Sequence, residues 1–172
     1  MNILSVLRRA LVLSLFATQA HARAFIATPG AQTQPGLLAS GLIGLSSYYD
    51  LEVGGKFAWK IADPGFVPMI NNSVAIEGAG IVTSTGQLFI APLLLWSFHL
   101  HPQWSVFAEA GIELGFSTRS KEKDRELDGG DPRGAHVAGT IGGFWRYSQS
   151  LWLRGELDVR HSSARAGLTW VD

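Results

Sequence analysis

The chain of 172 residues contains no cysteine. That excludes a disulfide framework and any thiolate-based metal centre. Charge is scarce as well. Asp, Glu, Lys and Arg make up 16% of the residues, against about a quarter in ordinary soluble domains. The 14 basic and 14 acidic side chains cancel, so nothing points to nucleic acid as a partner. Beyond the N-terminal segment, no apolar run reaches the roughly 20 residues that a transmembrane helix needs. Nor does any long window repeat with the helical period of 3.6.

What is present begins with an export signal. Residues 1–22 read as a secretory signal peptide: Arg8 and Arg9 open it, Ala10 to Ala17 form its apolar run, and Ala20-His21-Ala22 fits the cleavage pattern. The run is too short to span a bilayer. Cleavage would leave a mature chain starting near Arg23, of a length that suits one domain. Residues 23–35 (RAFIATPGAQTQP) form an N-terminal arm. An exported chain that lacks a spanning helix is either a secreted globular protein or an outer-membrane barrel.

The rest of the chain is dominated by a period of two. Ser150 to Arg160 places Leu151, Leu153, Gly155, Leu157 and Val159 on one face of a strand. Trp152, Arg154, Glu156, Asp158 and Arg160 occupy the other. A soluble sheet over a core would look the same, so the number of repeats decides. Six more segments follow the rule, 49–61, 74–83, 87–100, 104–116, 136–147 and 164–171, and a seventh, Gly/Leu-rich 36–46, reads as a strand whose faces are ambiguous. Most are about 9–13 residues, close to what a tilted strand needs to cross a membrane. The predicted fold is all-β: an eight-stranded antiparallel up-and-down transmembrane β-barrel over residues 36–172.

The faces opposite the apolar ones carry Glu52, Lys56, Lys60, Glu77, Glu109, Glu113, Arg146, Arg154, Glu156, Asp158, Arg160 and Arg165. An eight-stranded barrel has an interior just wide enough for side chains to fill. These groups are therefore expected to form a charge network in the lumen, because unpaired burial would be costly. Glu109 and Glu113 lie roughly 13 Å apart along a strand, too far for a carboxylate dyad; pairing with Arg154 or Arg146 is expected. Phe89, Leu93 and Leu95 break the pattern on the polar face. Trp59, Trp96, Trp104, Trp145, Tyr147 and Trp170 tend toward strand ends, where interfacial girdles form. With both termini in the periplasm, 101–103 and 148–149 are short periplasmic turns and 117–134 is a long charged outer loop. Residues 63–72, with Phe66, Val67, Met69 and Ile70, fit no simple turn.

These features resemble the small eight-stranded outer-membrane barrels of the OmpA/OmpX-like group. A second resemblance, to lipid A 3-O-deacylase, rests on Leu88 to Phe98 (LFIAPLLLWSF), Phe107 to Ile112 (FAEAGI) and His161-Ser162-Ser163. It implies a serine-type lipid esterase with His161 as base and Ser163 as nucleophile on the outer wall. Two residues apart, both would face lipid if the strand continues that far. The orienting carboxylate is unassigned; Asp131 is a loop candidate. As a plain reading, 161–164 is a polar hairpin turn. His99 and His101 share a strand face, a spacing that zinc can use, but no third ligand is visible.

The expected function is a monomeric outer-membrane barrel with a structural or surface-interaction role, without an open pore or cofactor. Its partners would be outer-membrane lipid and a surface partner met by loop 117–134. Two alternatives stand beside it: the lipid esterase, and a soluble periplasmic barrel with inverted faces that binds an apolar ligand.

Overall fold

The structure, a computed structural model, describes residues 26–32, 34–46, 50–118 and 133–172. The signal peptide, residues 23–25 of the arm and residues 119–132 of the long loop lie outside the described residues.

Eight strands follow one another: β1 (Leu37–Leu45), β2 (Leu51–Ala62), β3 (Asn72–Thr83), β4 (Gln87–His101), β5 (Trp104–Ser117), β6 (Gly134–Arg146), β7 (Leu151–Asp158) and β8 (Ser163–Val171). Each pairs antiparallel with the next, and β8 returns to β1 with Leu42 opposite Gly167, closing the barrel. Closure removes the exposed strand edges that an open sheet would leave. Both described ends, the arm and β8's last residue, lie at one end of the barrel, here called the terminal end.

The period of two sets which way each residue points. Ile112 and Leu157 are 56% and 55% exposed, whereas Arg154 and Glu156 are 2% and 3% exposed. Exposed apolar side chains run around the outer wall on every strand, among them Ile43, Val53, Ile76, Ile90, Ile141 and Leu168. A continuous apolar band with charges inside is the arrangement of a barrel solvated by lipid. The soluble alternative is corrected here: its apolar cavity would need these faces exchanged. On the outer wall, Leu168→Arg near the middle of β8 should cost about 2–4 kcal/mol. Urea unfolding in lipid vesicles checks this.

The lumen is not wholly ionic. Leu38, Ala58, Ala75, Leu95, Phe107, Phe144 and Trp152 pack together across it. Phe89, Leu93 and Leu95 broke the polar alternation of β4 because they fill the interior. Packing is close enough to require glycine at Gly142, where a Cβ would stand 2.4 Å from Phe107 Cζ. β7 ends at Asp158, two residues before the expected Arg160. The following turn places Ser162 at a φ of 48°, a left-handed conformation uncommon outside glycine.

Residues 63–71 turn outward at the terminal end. The neighbouring side chains Asn71 and Asn72 point to opposite sides of the wall, as alternation requires. Asn72, outside, donates through Nδ2 to Val67 O (2.7 Å) and Ile70 O (2.8 Å), and accepts from Trp96 Nε1 (2.8 Å). Phe66 stacks edge-on against Trp96, with ring centroids 5.4 Å apart. The segment therefore lies against the lipid-facing wall and is not a free periplasmic turn.

Candidate functional site

The densest chemistry lies at the centre of the lumen. Arg154 on β7 extends inward and uses its whole guanidinium. Nε donates to Glu156 Oε2 (2.8 Å), Nη1 to Glu77 Oε2 (2.8 Å) and Ser40 Oγ (3.4 Å), and Nη2 to Glu77 Oε1 (3.1 Å) and Glu109 Oε1. The five donors of arginine are thus all engaged. Its face lies over Phe107 and Phe144, 4.9 and 5.3 Å from the ring centroids. Lys56 supplies the second cation, with Nζ 2.6 Å from Glu109, 3.0 Å from Glu156 and 3.4 Å from Glu77. Two cations and three carboxylates from β2, β3, β5 and β7 form one cage, with every member's side chain at most 2% exposed.

A second set lies toward the opposite end, the loop end. Arg165 meets Asp158 at 2.6 Å, Glu156 at 2.9 Å and Glu52 at 3.5 Å. Through Glu156 it is continuous with the cage. Arg160, in the turn after β7, reaches back to Glu113. Of the charges singled out in the sequence, the ion pairs of the interior join Glu52, Lys56, Glu77, Glu109, Glu113, Arg154, Glu156, Asp158, Arg160 and Arg165. Arg146 is the exception. It lies at the terminal mouth over the Trp152 ring, 5.2 Å from its centroid, and meets an amide in place of a carboxylate. The register explains it: Arg146 pairs with Trp152, the lumen residue one step nearer the mouth than Arg154. Glu109 takes Arg154, as expected; Glu113 takes Arg160 and His161.

His161 and Ser163 do not share the lipid-facing side that their spacing suggested. Ser163 is the first residue of β8, pairs with Asp158 and faces the lumen at 2% exposure. His161 precedes the left-handed Ser162, which turns its ring inward. His161 Nε2 lies 2.9 and 3.1 Å from the two Glu113 oxygens, and the ring stacks on Phe89 at 4.4 Å. Its backbone N–H donates to Asp158 Oδ1 (2.9 Å). Among the described residues, no hydrogen bond joins Ser163 to His161. The carboxylate beside His161 is Glu113 of β5, which reaches it across the lumen. Strand-by-strand reading missed it because β5 and β7 are not neighbours. Asp131 lies outside the described residues.

The terminal mouth holds a cluster that the sequence did not disclose. The arm enters it. Lys60 Nζ donates to Gln34 O (2.7 Å) and pairs with Asp63 (3.3 Å). Ser73 Oγ donates to Gln34 Oε1, and His99 bridges Ser73 (3.1 Å) and Ser105 (2.9 Å). With Ser73 donating to Gln34, His99 Nε2–H donates to Ser73 and Nδ1 accepts from Ser105. Gln32, its amide oriented to satisfy both neighbours, donates to His101 O (3.0 Å) and accepts from Arg146 Nη2 (2.8 Å). His101 Nδ1 accepts instead from the Gln103 amide (3.1 Å), so the two histidines serve different partners and do not converge on one ion. The one available signal was the alternation of Gln32 and Gln34, which lets an extended arm present both amides to one side.

No protein-family model matches this chain, and no curated protein matches it. Solved structures do. One reported under "De novo design of transmembrane beta-barrels" aligns with a TM-score of 0.62 at 14% identity, over 81% of this chain and 97% of that one. The solution structure of the designed barrel TMB2.3 aligns at 0.57 and 14% identity, over the same shares. The outer membrane enzyme PagL aligns at 0.48 and 13% identity, over 77% of this chain and 97% of that one. With the apolar outer wall, the closed eight-strand ladder and the two designed neighbours, the chain has the fold of a transmembrane β-barrel.

Proposed function

We propose that this protein is an exported outer-membrane barrel that conducts nothing and serves a structural or surface-interaction role. The observation that carries the reading is the filling of the lumen. From one end to the other stand the arm's amides, the aromatic layer around Trp152, the Arg154 cage and the Arg165 set. Eight strands leave no room for a channel beside them. The terminal end faces the periplasm in this reading, and loop 117–134 meets the cell exterior. There a rigid scaffold could present it to a partner.

Planar bilayer recording tests the closed lumen. The purified barrel is expected to insert without discrete conductance steps; stable ohmic steps would refute it. Fractionation of cells expressing the full chain tests the location, with the protein expected in the outer-membrane pellet and a heat-modifiable band on gels.

The hydrolase reading keeps one favourable observation, the His161–Glu113 pair, which would orient a base as acyl-transfer sites require. Against it stands the inward Ser163, which a lipid ester could reach only by entering the lumen mouth. Mass spectrometry of lipid A from cells expressing the protein or its Ser163→Ala variant separates the readings. An identical acyl pattern in both, matching cells without the protein, is expected. A deacylated species made by the unaltered protein and lost in the variant would establish the enzyme.

A further inference from the structure

All six tryptophans lie in the halves of their strands nearest the terminal end. Trp59, Trp104, Trp145 and Trp170 face outward there and are exposed, and Tyr147 adds to them at 76% exposure. At the loop rim the exposed side chains are aliphatic, as at Leu45, Leu51, Val82, Leu114 and Val159, with Phe116 the one exposed aromatic among the described residues. Transmembrane barrels commonly carry girdles at both interfaces. Here the tryptophan is confined to one.

Segment 65–70 belongs to the same rim. It is built onto the wall and does not hang from it. Gly65 N donates to Asn72 O (2.8 Å), and a Cβ at Gly65 would stand 2.9 Å from Val74 Cγ2. Val74 points outward yet is fully covered, so the segment itself shields it. What the segment then presents outward is apolar: Phe66 is 58% exposed and Met69 81%. The free edge of the barrel is thus extended by a fixed apolar shelf, continuous with the lipid-facing wall through Trp96 and Phe98, whose rings lie 4.6 Å apart.

We propose that segment 65–70, together with the one-ended tryptophan ring, is an interfacial anchor that docks on the phospholipid surface at the terminal end. This rests on the membrane-barrel reading. Tryptophan and tyrosine prefer the headgroup level, where the ring is apolar and its N–H or O–H stays wet. Trp96 departs from that rule, because its N–H is already given to Asn72; its part is to hold the shelf. Phe66 and Met69 have no polar atom to keep in water and enter the headgroup–acyl boundary, about 5–10 Å deep for interfacial segments. A tryptophan girdle at one end fixes depth from that side.

The absence of cysteine makes the test clean. Met69→Cys, in the full barrel folded into phosphatidylcholine vesicles, is labelled with an environment-sensitive dye. Ile112→Cys, in the middle of the apolar wall, serves as reference. The Met69 dye is expected to show blue-shifted emission, loss of iodide quenching relative to the unfolded chain, and stronger quenching by a nitroxide high on the acyl chain than by one near its end. The Ile112 dye should show the reverse depth preference. Adding Asn72→Ala releases the shelf and should return iodide quenching at position 69 alone. If the Met69 dye is iodide-accessible while the Ile112 dye is shielded, the anchor proposal falls and the membrane reading stands. If both are accessible, the membrane reading itself falls.

Discussion

Arg154→Met should lower the unfolding free energy of the barrel by about 3–5 kcal/mol, the usual cost of removing one partner from a buried ionic group. Methionine keeps an unbranched stem of similar bulk but ends short of the guanidinium, so the loss of charge and hydrogen bonds is expected to outweigh the loss of packing. What changes is the balance of charge in a space that water does not reach. With arginine, two cations face Glu77, Glu109 and Glu156; without it, Lys56 alone faces three carboxylates. All three carboxylates would also lose hydrogen bonds that they accept from its guanidinium. Arg154→Lys should recover part of the loss, since an ammonium restores the charge but not the five-donor fork. Urea titration of the vesicle-folded protein, read by heat-modifiable migration, measures both. Equal stability of the methionine variant and the unaltered protein would mean that the cage is not what holds the interior.

Phe107→Ala should cost about 3–5 kcal/mol by the same assay, the range for deleting a buried phenylalanine. Phe107 is 3% exposed and serves two neighbours: Phe144, with centroids 4.7 Å apart, and the Arg154 guanidinium above its ring. Phe107→Leu separates the contributions. Leucine refills most of the space and gives no cation–π attraction, which is worth about 2 kcal/mol or more where water is excluded. The Arg154 and Phe107 substitutions should therefore be non-additive when combined, with a coupling of about 0.5–3 kcal/mol. Strict additivity would show that ring and guanidinium are neighbours without interaction. The two variants also bear on the closed lumen, because both remove material from the layers that fill it.

The period of two was enough to place most of these groups. In β7, Leu153 and Leu157 could only be on the face opposite Arg154 and Glu156, and the barrel's narrow interior required the charges to find partners. Strand ends were less legible. Asp158 closes β7 early because the left-handed Ser162 and the inward His161 make a turn from residues that continue the alternation on paper. Arg146 kept the correct parity but met Trp152 and Gln32, since parity states a face and says nothing of height along the axis. Phe89 and Leu95 looked like errors in a polar face until closure made that face an interior with apolar layers of its own. Residues 63–72 had no reading at all, because a segment that lies on the outer wall leaves no periodic trace.

By itself the sequence determined the strand count and, on most strands, which residues share a face, because alternation is a local property of an extended chain. Only the tertiary structure decided which charge meets which. Lys56 and Glu109 come from strands that are not neighbours, and Glu113 of β5 meets His161 of the β7–β8 turn; both pairs meet only where the sheet curls onto itself. The same closure turned Ser163 inward and seated the arm in the mouth. Pairing across a lumen depends on tilt and register around the whole barrel, which no single stretch of residues contains.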